Sequence, residues 1–491
     1  MSGGWSGEWR LVFRDRAYMT TLLLLGLLAA STFAAGHLRA QAQRQRCFEY
    51  QRENQEQQAI LMGAFASEED RDDFTRWAGR QLSPAEEARA RQLQSRARTP
   101  LLLAYLSDIW RTWLPPSPLA PLSVGESAAW PESYLLRSES TGATLNVSRL
   151  SNPFHARTGM FDLSLLVVVL LPLSVIVALH DLISAERERK TLRLILTQPV
   201  SLWGVCLRKL IVRLSGIIVV VVGVPWLGLL WTGAEPGNPQ VVARFAAWGM
   251  LVALYALFWG GLAWLVNAFR GSSVSNAVLL TLAWVLLVIV VPPRLAQQVA
   301  EAWPVESPAI LMGREQALLR AHEEAEQQRY EQFQAEQSEE DPEARREQWQ
   351  AIAQASEQAL DSQLQELVRM HFQRYEARQA ARGRWEWLSP ALGMKSCCDL
   401  LAGTDASHYR LFARYTGEFQ ESLRRYWMAM AESEREPTRE TMLAMPVYAN
   451  PGIELVVPWR GLLLRAGSLL AASLLLFLVG GWLLQSRADP G

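Results

Sequence analysis

Cysteine is scarce: four in 491 residues, with no spacing that matches a zinc or redox motif, so neither a disulfide framework nor a metal knuckle organises the chain. No Gly-Lys-Ser/Thr phosphate loop occurs, so the chain does not cradle ATP by itself in the usual way. There is no H-E-x-x-H and no G-x-S-x-G elbow; His322-Glu323 lacks the second histidine four residues on. A net charge of −1 argues against a nucleic-acid binder. Charge is also missing from the middle of the long apolar runs, which disfavours an ion-driven carrier. Any movement of cargo by this chain needs energy from elsewhere.

What is present is apolar sequence in blocks of roughly 20 residues, the length that crosses a hydrocarbon core of ~30 Å. Six blocks qualify, from about Ala17 to Ala35, Phe161 to Leu179, Leu210 to Trp231, Phe245 to Leu265, Val274 to Val291 and Gly461 to Leu484. The first reads as an uncleaved anchor, with a cleaved signal peptide as the alternative. Arg213, Arg244 and Arg465 lie near block ends, where long side chains reach water. Pro172 and Pro225 lie inside blocks and predict kinks.

Short basic loops orient the chain. Arg10, Arg14 and Arg16 precede the first block; Arg187, Arg189, Lys190, Arg193, Arg208 and Lys209 separate the second and third; Arg270 and Arg487 fall on the same side. The positive-inside rule makes that side cytoplasmic, with both termini. The expected fold is therefore an all-α polytopic membrane protein with six membrane helices and two largely helical extracytoplasmic insertions. Residues 1–35 form a leading helix and first span, and 36–159 the first outer domain. Residues 160–291 are a four-span block with a loop at 180–209, 292–460 the second outer domain, and 461–491 the last span and tail. Cys47, Cys397 and Cys398 then lie outside as structural thiols or with one bridge, since three cannot all pair within one chain.

The insertions are rich in helix signals. "AQAQRQRCFEYQRENQEQQAILMGAF" has no early breaker, so the first span is expected to run outward as one long helix. Ser83, Pro84 and Glu86 spell a capping box with proline at the first helical position. "WLPPSPLAPL" is a break, and "YLLRSESTGATLNVSRL" alone reads as strand or loop. The second insertion opens at "VPPR"; a polar helical hairpin runs from about Ala309 to Arg382, interrupted near Asp341-Pro342, and another helix from Ser407 to Glu436. Trp77, Trp110 and Trp113 line a groove or fill a core.

The stretch "SAERERKTLRLILTQPVSLW", Ser184 to Trp203, is the most specific signal. Ser184 can cap a helix, and Glu186 and Glu188 suit its positive end. Pro199 stops the helix, so a Pro-bounded amphipathic elbow joins two spans. An interfacial helix that merely obeys the positive-inside rule would not require the two glutamates.

Here the chain resembles permease subunits of type-2 ABC exporters, which carry Glu-x-Glu, often Gly-Thr-Leu, several leucines, Ser/Thr-x-Pro and a later lysine after the second span. Glu186, Glu188, Thr191, Leu192, Leu194, Leu196, Thr197, Pro199 and Lys209 follow that order. Lys190 stands where the family often has glycine, and Leu202 where it often has arginine. "WRLVFRDRAYMTTLLLLGLL" resembles the family's leading helix, and "WPVESPAIL", "LSPALGM" and "AGTDASHYRLF" resemble a subfamily with a large outer insertion of unknown function.

The resemblance implies a bacterial inner-membrane permease, without cofactor, driven by a separate ABC ATP-binding subunit. It implies a homodimer, or a heterodimer with a sister permease, in contact with membrane lipid and with room for a periplasmic partner. The ATPase-coupling residues it implies are Glu186, Glu188, Thr191, Leu192, Leu196, Pro199 and Val200. The glutamates would pair with basic residues of the ATPase. A non-transporting scaffold or signalling component on the same frame is the competing class. A membrane enzyme using outer carboxylates is a third, without a residue constellation to support it.

Overall fold

The computed structural model describes residues 3–64, 80–96, 110–127, 130–136, 161–191, 202–233, 237–269, 271–336, 342–432, 439–449 and 457–486. Helix α1 (Gly3–Arg14) ends at Asp15, whose carboxylate accepts from the amides of Ala17 (3.0 Å) and Tyr18 (3.2 Å) and starts α2. Helix α2 (Arg16–Ala64) runs 49 residues unbroken. At 1.5 Å per residue that is ~74 Å, far beyond a ~30 Å hydrocarbon core. Its membrane half is fixed to the third span by the Tyr18 hydroxyl, which donates to the Arg213 carbonyl at 2.7 Å.

Among the described residues, six helices are long and apolar enough to cross a membrane. After α2 and α3 (Pro84–Arg96) come α4 (Leu163–Glu188), α5 (Leu202–Trp231), α6 (Pro239–Ala268) and α7 (Ser273–Ala302). Helices α8 (Pro308–Glu336), α9 (Pro342–Trp385), α10 (Pro390–Ala402), α11 (Ala406–Glu432) and α12 (Arg439–Leu443) follow, and α13 (Trp459–Ser486) is the last candidate span. A helix begins at Pro342, where a break is expected, and the Ser83–Glu86 capping box is formed: Glu86 accepts from the Ser83 amide at 2.7 Å.

Two spans carry widened π turns directly before proline: Leu166–Leu170 before Pro172 in α4, and Val285–Val290 before Pro292 and Pro293 in α7. In each, the following amide bonds five residues back, Leu171 to Leu166 and Val291 to Leu286. A π turn enlarges the ring so that proline is accommodated without ending the helix. The helix does not end at "VPPR": α7 passes through both prolines to Ala302. Hydroxyls from elsewhere supply donors to the carbonyls at these breaks. Tyr255 of α6 donates to Val168 (3.0 Å), whose α-helical partner would be the missing N–H of Pro172. Ser389 donates to Leu287 (3.3 Å), whose π-register partner would be the missing N–H of Pro292. The Trp284 indole joins the two breaks by donating to Val169 at 3.1 Å.

The two insertions pack as one body, here named the outer domain after the side that the charge pattern assigns to it. Strands β1 (Trp110–Trp113) and β2 (Ser133–Leu136) pair antiparallel, Trp110 opposite Leu136. The second strand lies in the stretch that reads as strand; the first does not, because Trp-Arg-Thr-Trp is short and lacks period-2 alternation. One core gathers Cys47 and Leu61 of α2, Trp110 and Trp113 of β1, Tyr134 of β2, and Phe412 and Trp427 of α11. Thr112 meets Thr416 at 3.2 Å inside it, and Tyr448 donates to the Trp113 carbonyl at 3.0 Å. Gly125 marks a close approach: it holds φ +51°, and a Cβ there would sit 2.5 Å from the Thr404 carbonyl oxygen. Trp77 lies outside the described residues. All four cysteines are free and buried, Cys47 in this core and Cys397 and Cys398 among the spans.

Candidate coupling site between the second and third spans

The described part of the loop, residues 181–191, is rooted in three spans at once. Its last helical turn is Ser184–Glu188. Ile183, not Ser184, precedes that turn, and no side chain caps it. The Ser184 hydroxyl points instead to the Ser273 hydroxyl at the start of α7, at 2.8 Å. Sequence position alone favours capping, but a buried hydroxyl takes the partner that tertiary packing brings.

Glu186 and Glu188 are both engaged within the chain. Glu186 pairs with Lys209 of α5 at 2.7 Å and accepts from Thr191. Glu188 accepts from the Ser273 amide at 2.7 Å, placing a carboxylate on the N-terminus of α7. Within the chain, both glutamates brace the loop against α5 and α7. Beside them Arg213 pairs with Asp181 at 2.9 Å.

Two asparagines, absent from the sequence-based list, complete the root. Asn267 of α6 donates to the Leu179 carbonyl (3.0 Å) and accepts from the Ile183 amide (3.2 Å). Asn276 of α7 donates to the His180 carbonyl and to Asn267, both at 3.2 Å. Both are 1 % exposed. The available signal was their chemistry, since a polar amide at the end of an apolar span is retained only with partners.

Lys190 adopts φ +60°, the left-handed conformation that follows a helix C-terminus and that glycine adopts without strain. That is where the resembling permeases often have glycine. Arg189, Lys190 and Thr191 are exposed, at the edge of residues 192–201, which lie outside the described set. Leu192, Leu196, Pro199 and Val200 belong to that stretch. The site therefore offers a root held by hydrogen bonds and ion pairs, with Arg189, Lys190 and Thr191 exposed beyond it. Among the described residues no group of three or more His, Cys, Asp or Glu is placed to hold a metal.

The opposite ends of the spans hold a second polar cluster. Arg244 of α6 is buried rather than reaching water: it donates to the Leu401 carbonyl (3.0 Å) and to Ser117 (3.1 Å). Lys395 pairs with Asp399 at 2.5 Å, and Ser123 donates to Asp399 at 2.5 Å. Arg465 pairs with Glu386 at 2.5 Å.

A six-span helical membrane protein with a charged loop braced on three spans, and an outer domain made from the two insertions, has the build of a transporter permease. The chain belongs to the ABC-2 family of transporter proteins, whose family model matches residues 6–335. It is thus a multi-pass membrane permease of an ABC transporter, a class that works with a separate ATP-binding subunit. A domain of unknown function (DUF3526) matches residues 296–450. No curated protein and no solved structure matches the chain.

Proposed function

We propose that the loop rooted at Ser184 is the docking element for the ATP-binding subunit, and that the chain is an export-type permease of a bacterial inner membrane. The observation that carries this reading is the double brace, Glu186 on Lys209 of α5 and Glu188 on the Ser273 amide of α7. A push on such a loop displaces several spans together, whereas a flexible loop would absorb it. Exposed Arg189 and Lys190, with Leu192, Leu196, Pro199 and Val200 beyond them, supply the partner contact. Glu186, Glu188 and Thr191 act one step behind it by holding the root. Two such chains, or this chain and a sister permease, form the unit, with the outer domain on the periplasmic side.

Co-purification with the ATP-binding subunit, followed by its ATPase turnover, tests the assignment. Leu196→Asp is expected to lose co-purification. Lys209→Met is expected to keep co-purification and lose the stimulation of turnover. Normal association and stimulation in both variants would remove the loop from the coupling path, and a chain that binds the ATPase yet never alters its turnover is a scaffold.

A further inference from the structure

Helix α10 belongs to the outer domain by sequence and to the spans by packing. It is joined to α9 through the turn Glu386–Leu388 and to α11 through Gly403, which holds φ +72°. Yet Ala391, Met394, Cys397, Cys398, Leu401 and Ala402 share the core of the membrane helices. It packs directly against both π turns, Leu166–Leu170 of α4 and Val285–Val290 of α7.

Its polar bonds reach four spans. At its start, the fully buried Ser389 hydroxyl accepts from the Leu392 amide (3.3 Å) and donates to Leu287 in the α7 break (3.3 Å). Along its length, Asp399 takes Lys395 and Ser123. The neighbouring Val124 amide donates to Asp162 at 2.8 Å, the residue that caps α4. At its end, Arg244 of α6 clamps the Leu401 carbonyl. Just before it, Glu386 pairs with Arg465 of α13 and accepts from Ser396 at 2.6 Å.

We infer that α10 is a transmission helix, through which bending at the proline breaks of α4 and α7 is passed to the outer domain. Proline breaks are where membrane helices bend. A 13-residue helix, ~20 Å long, fixed at both ends and buried along one side, moves as a unit with whatever holds it. Both breaks touch it, and both flanking connections lead straight into the outer helices. Ser389 is then a positioning residue: it substitutes for the N–H that Pro292 lacks and ties α10 to that joint.

Hydrogen–deuterium exchange of the full chain in lipid nanodiscs, with no partner present, tests the inference. Tyr255→Phe alters the α4 break, and Ser389→Ala cuts the tie to the α7 break. Each is expected to speed exchange of residues 406–432 severalfold, and the double variant to do no more than the stronger single one. Ser389→Thr, which keeps a hydroxyl, is expected to exchange as the native chain does. Protection of residues 210–231 reports the global fold. Should Ser389→Ala lose that protection, Pro292→Ala cuts the same dependence by giving Leu287 a backbone donor. Unchanged exchange in 406–432 beside altered exchange in 163–179 overturns the inference, as do effects that simply multiply. Because no ATP-binding subunit takes part, that failure is separate from a failure of the docking reading.

Discussion

The pairing of Tyr255 with Val168 makes a sharp energetic prediction. Tyr255 is fully buried on α6, and its hydroxyl donates to the carbonyl that stands four residues before Pro172. Tyr255→Phe removes one oxygen and leaves that carbonyl in an apolar surround. A buried polar group left without its partner costs about 1–3 kcal/mol. Pro172→Ala restores an amide at position 172 that can donate to Val168 in an α-helical register. In that background Tyr255→Phe is expected to cost about 1 kcal/mol less, a coupling of the size that contacting residues show in double-mutant cycles. The four buried thiols provide the assay: equilibrium unfolding in mixed micelles, read by a thiol-reactive dye on Cys47, Cys206, Cys397 and Cys398. An equal cost in both backgrounds would refute the claim that the hydroxyl stands in for the missing N–H. So would a native-background cost near zero.

Three further outcomes are expected. Lys190→Gly relieves a left-handed conformation worth about 1–2 kcal/mol for a residue with a Cβ, less about 0.5–1 kcal/mol for glycine's backbone entropy; a net gain of a few tenths to about 1 kcal/mol is expected in the same unfolding assay. Gly125→Ala forces a Cβ against Thr404 at positive φ, and a loss of at least about 2 kcal/mol is expected, seen as faster proteolysis of the outer domain. Burial, and then the Arg244 guanidinium, press the His408 pKa down from 6.5 to about 4. A neutral imidazole is thus required by the fold: stability is full above the unfolded value and falls as pH drops from 6.5 toward about 4, by at most about 3 kcal/mol. His408→Gln is expected to flatten that slope in a pH series of unfolding curves.

Much of the frame was legible because it rests on local rules. Hydrophobic length alone locates the six spans, and the absence of breakers from His37 to Met62 announces the continuation of α2 beyond its apolar half. Ser83 with Glu86 announces α3. What escaped depends on residues far apart in sequence. Pro292 and Pro293 look like a helix end until a π turn and Ser389, about a hundred residues on, are seen together. Helix α10 is too short and too polar to be read as part of a membrane core; its lysine and aspartate are tolerated because Ser123 meets them there. At the loop, the glutamates are visible in the sequence, but their partners Lys209 and Ser273 are chosen by packing. A buried Arg244 looks like any arginine near a span end, since nothing nearby in sequence reveals the Leu401 carbonyl that it serves.

The core that unites Trp110, Tyr134, Phe412 and Trp427 has a consequence for biogenesis. The hairpin strands leave the ribosome long before α11 does, with residues 137 to 405 still to be made. At synthesis rates of ~5–20 residues per second, that interval is on the order of 10–60 s. Throughout it the aromatic face of the hairpin lacks its cover, while four further helices are being threaded into the bilayer. On the proposed topology the outer domain closes only after the fifth span has been placed, so its closure registers that the intervening spans were inserted in the sense proposed here. A chain with one span inverted would leave Phe412 and Trp427 on the side opposite the strands, and this core could not close.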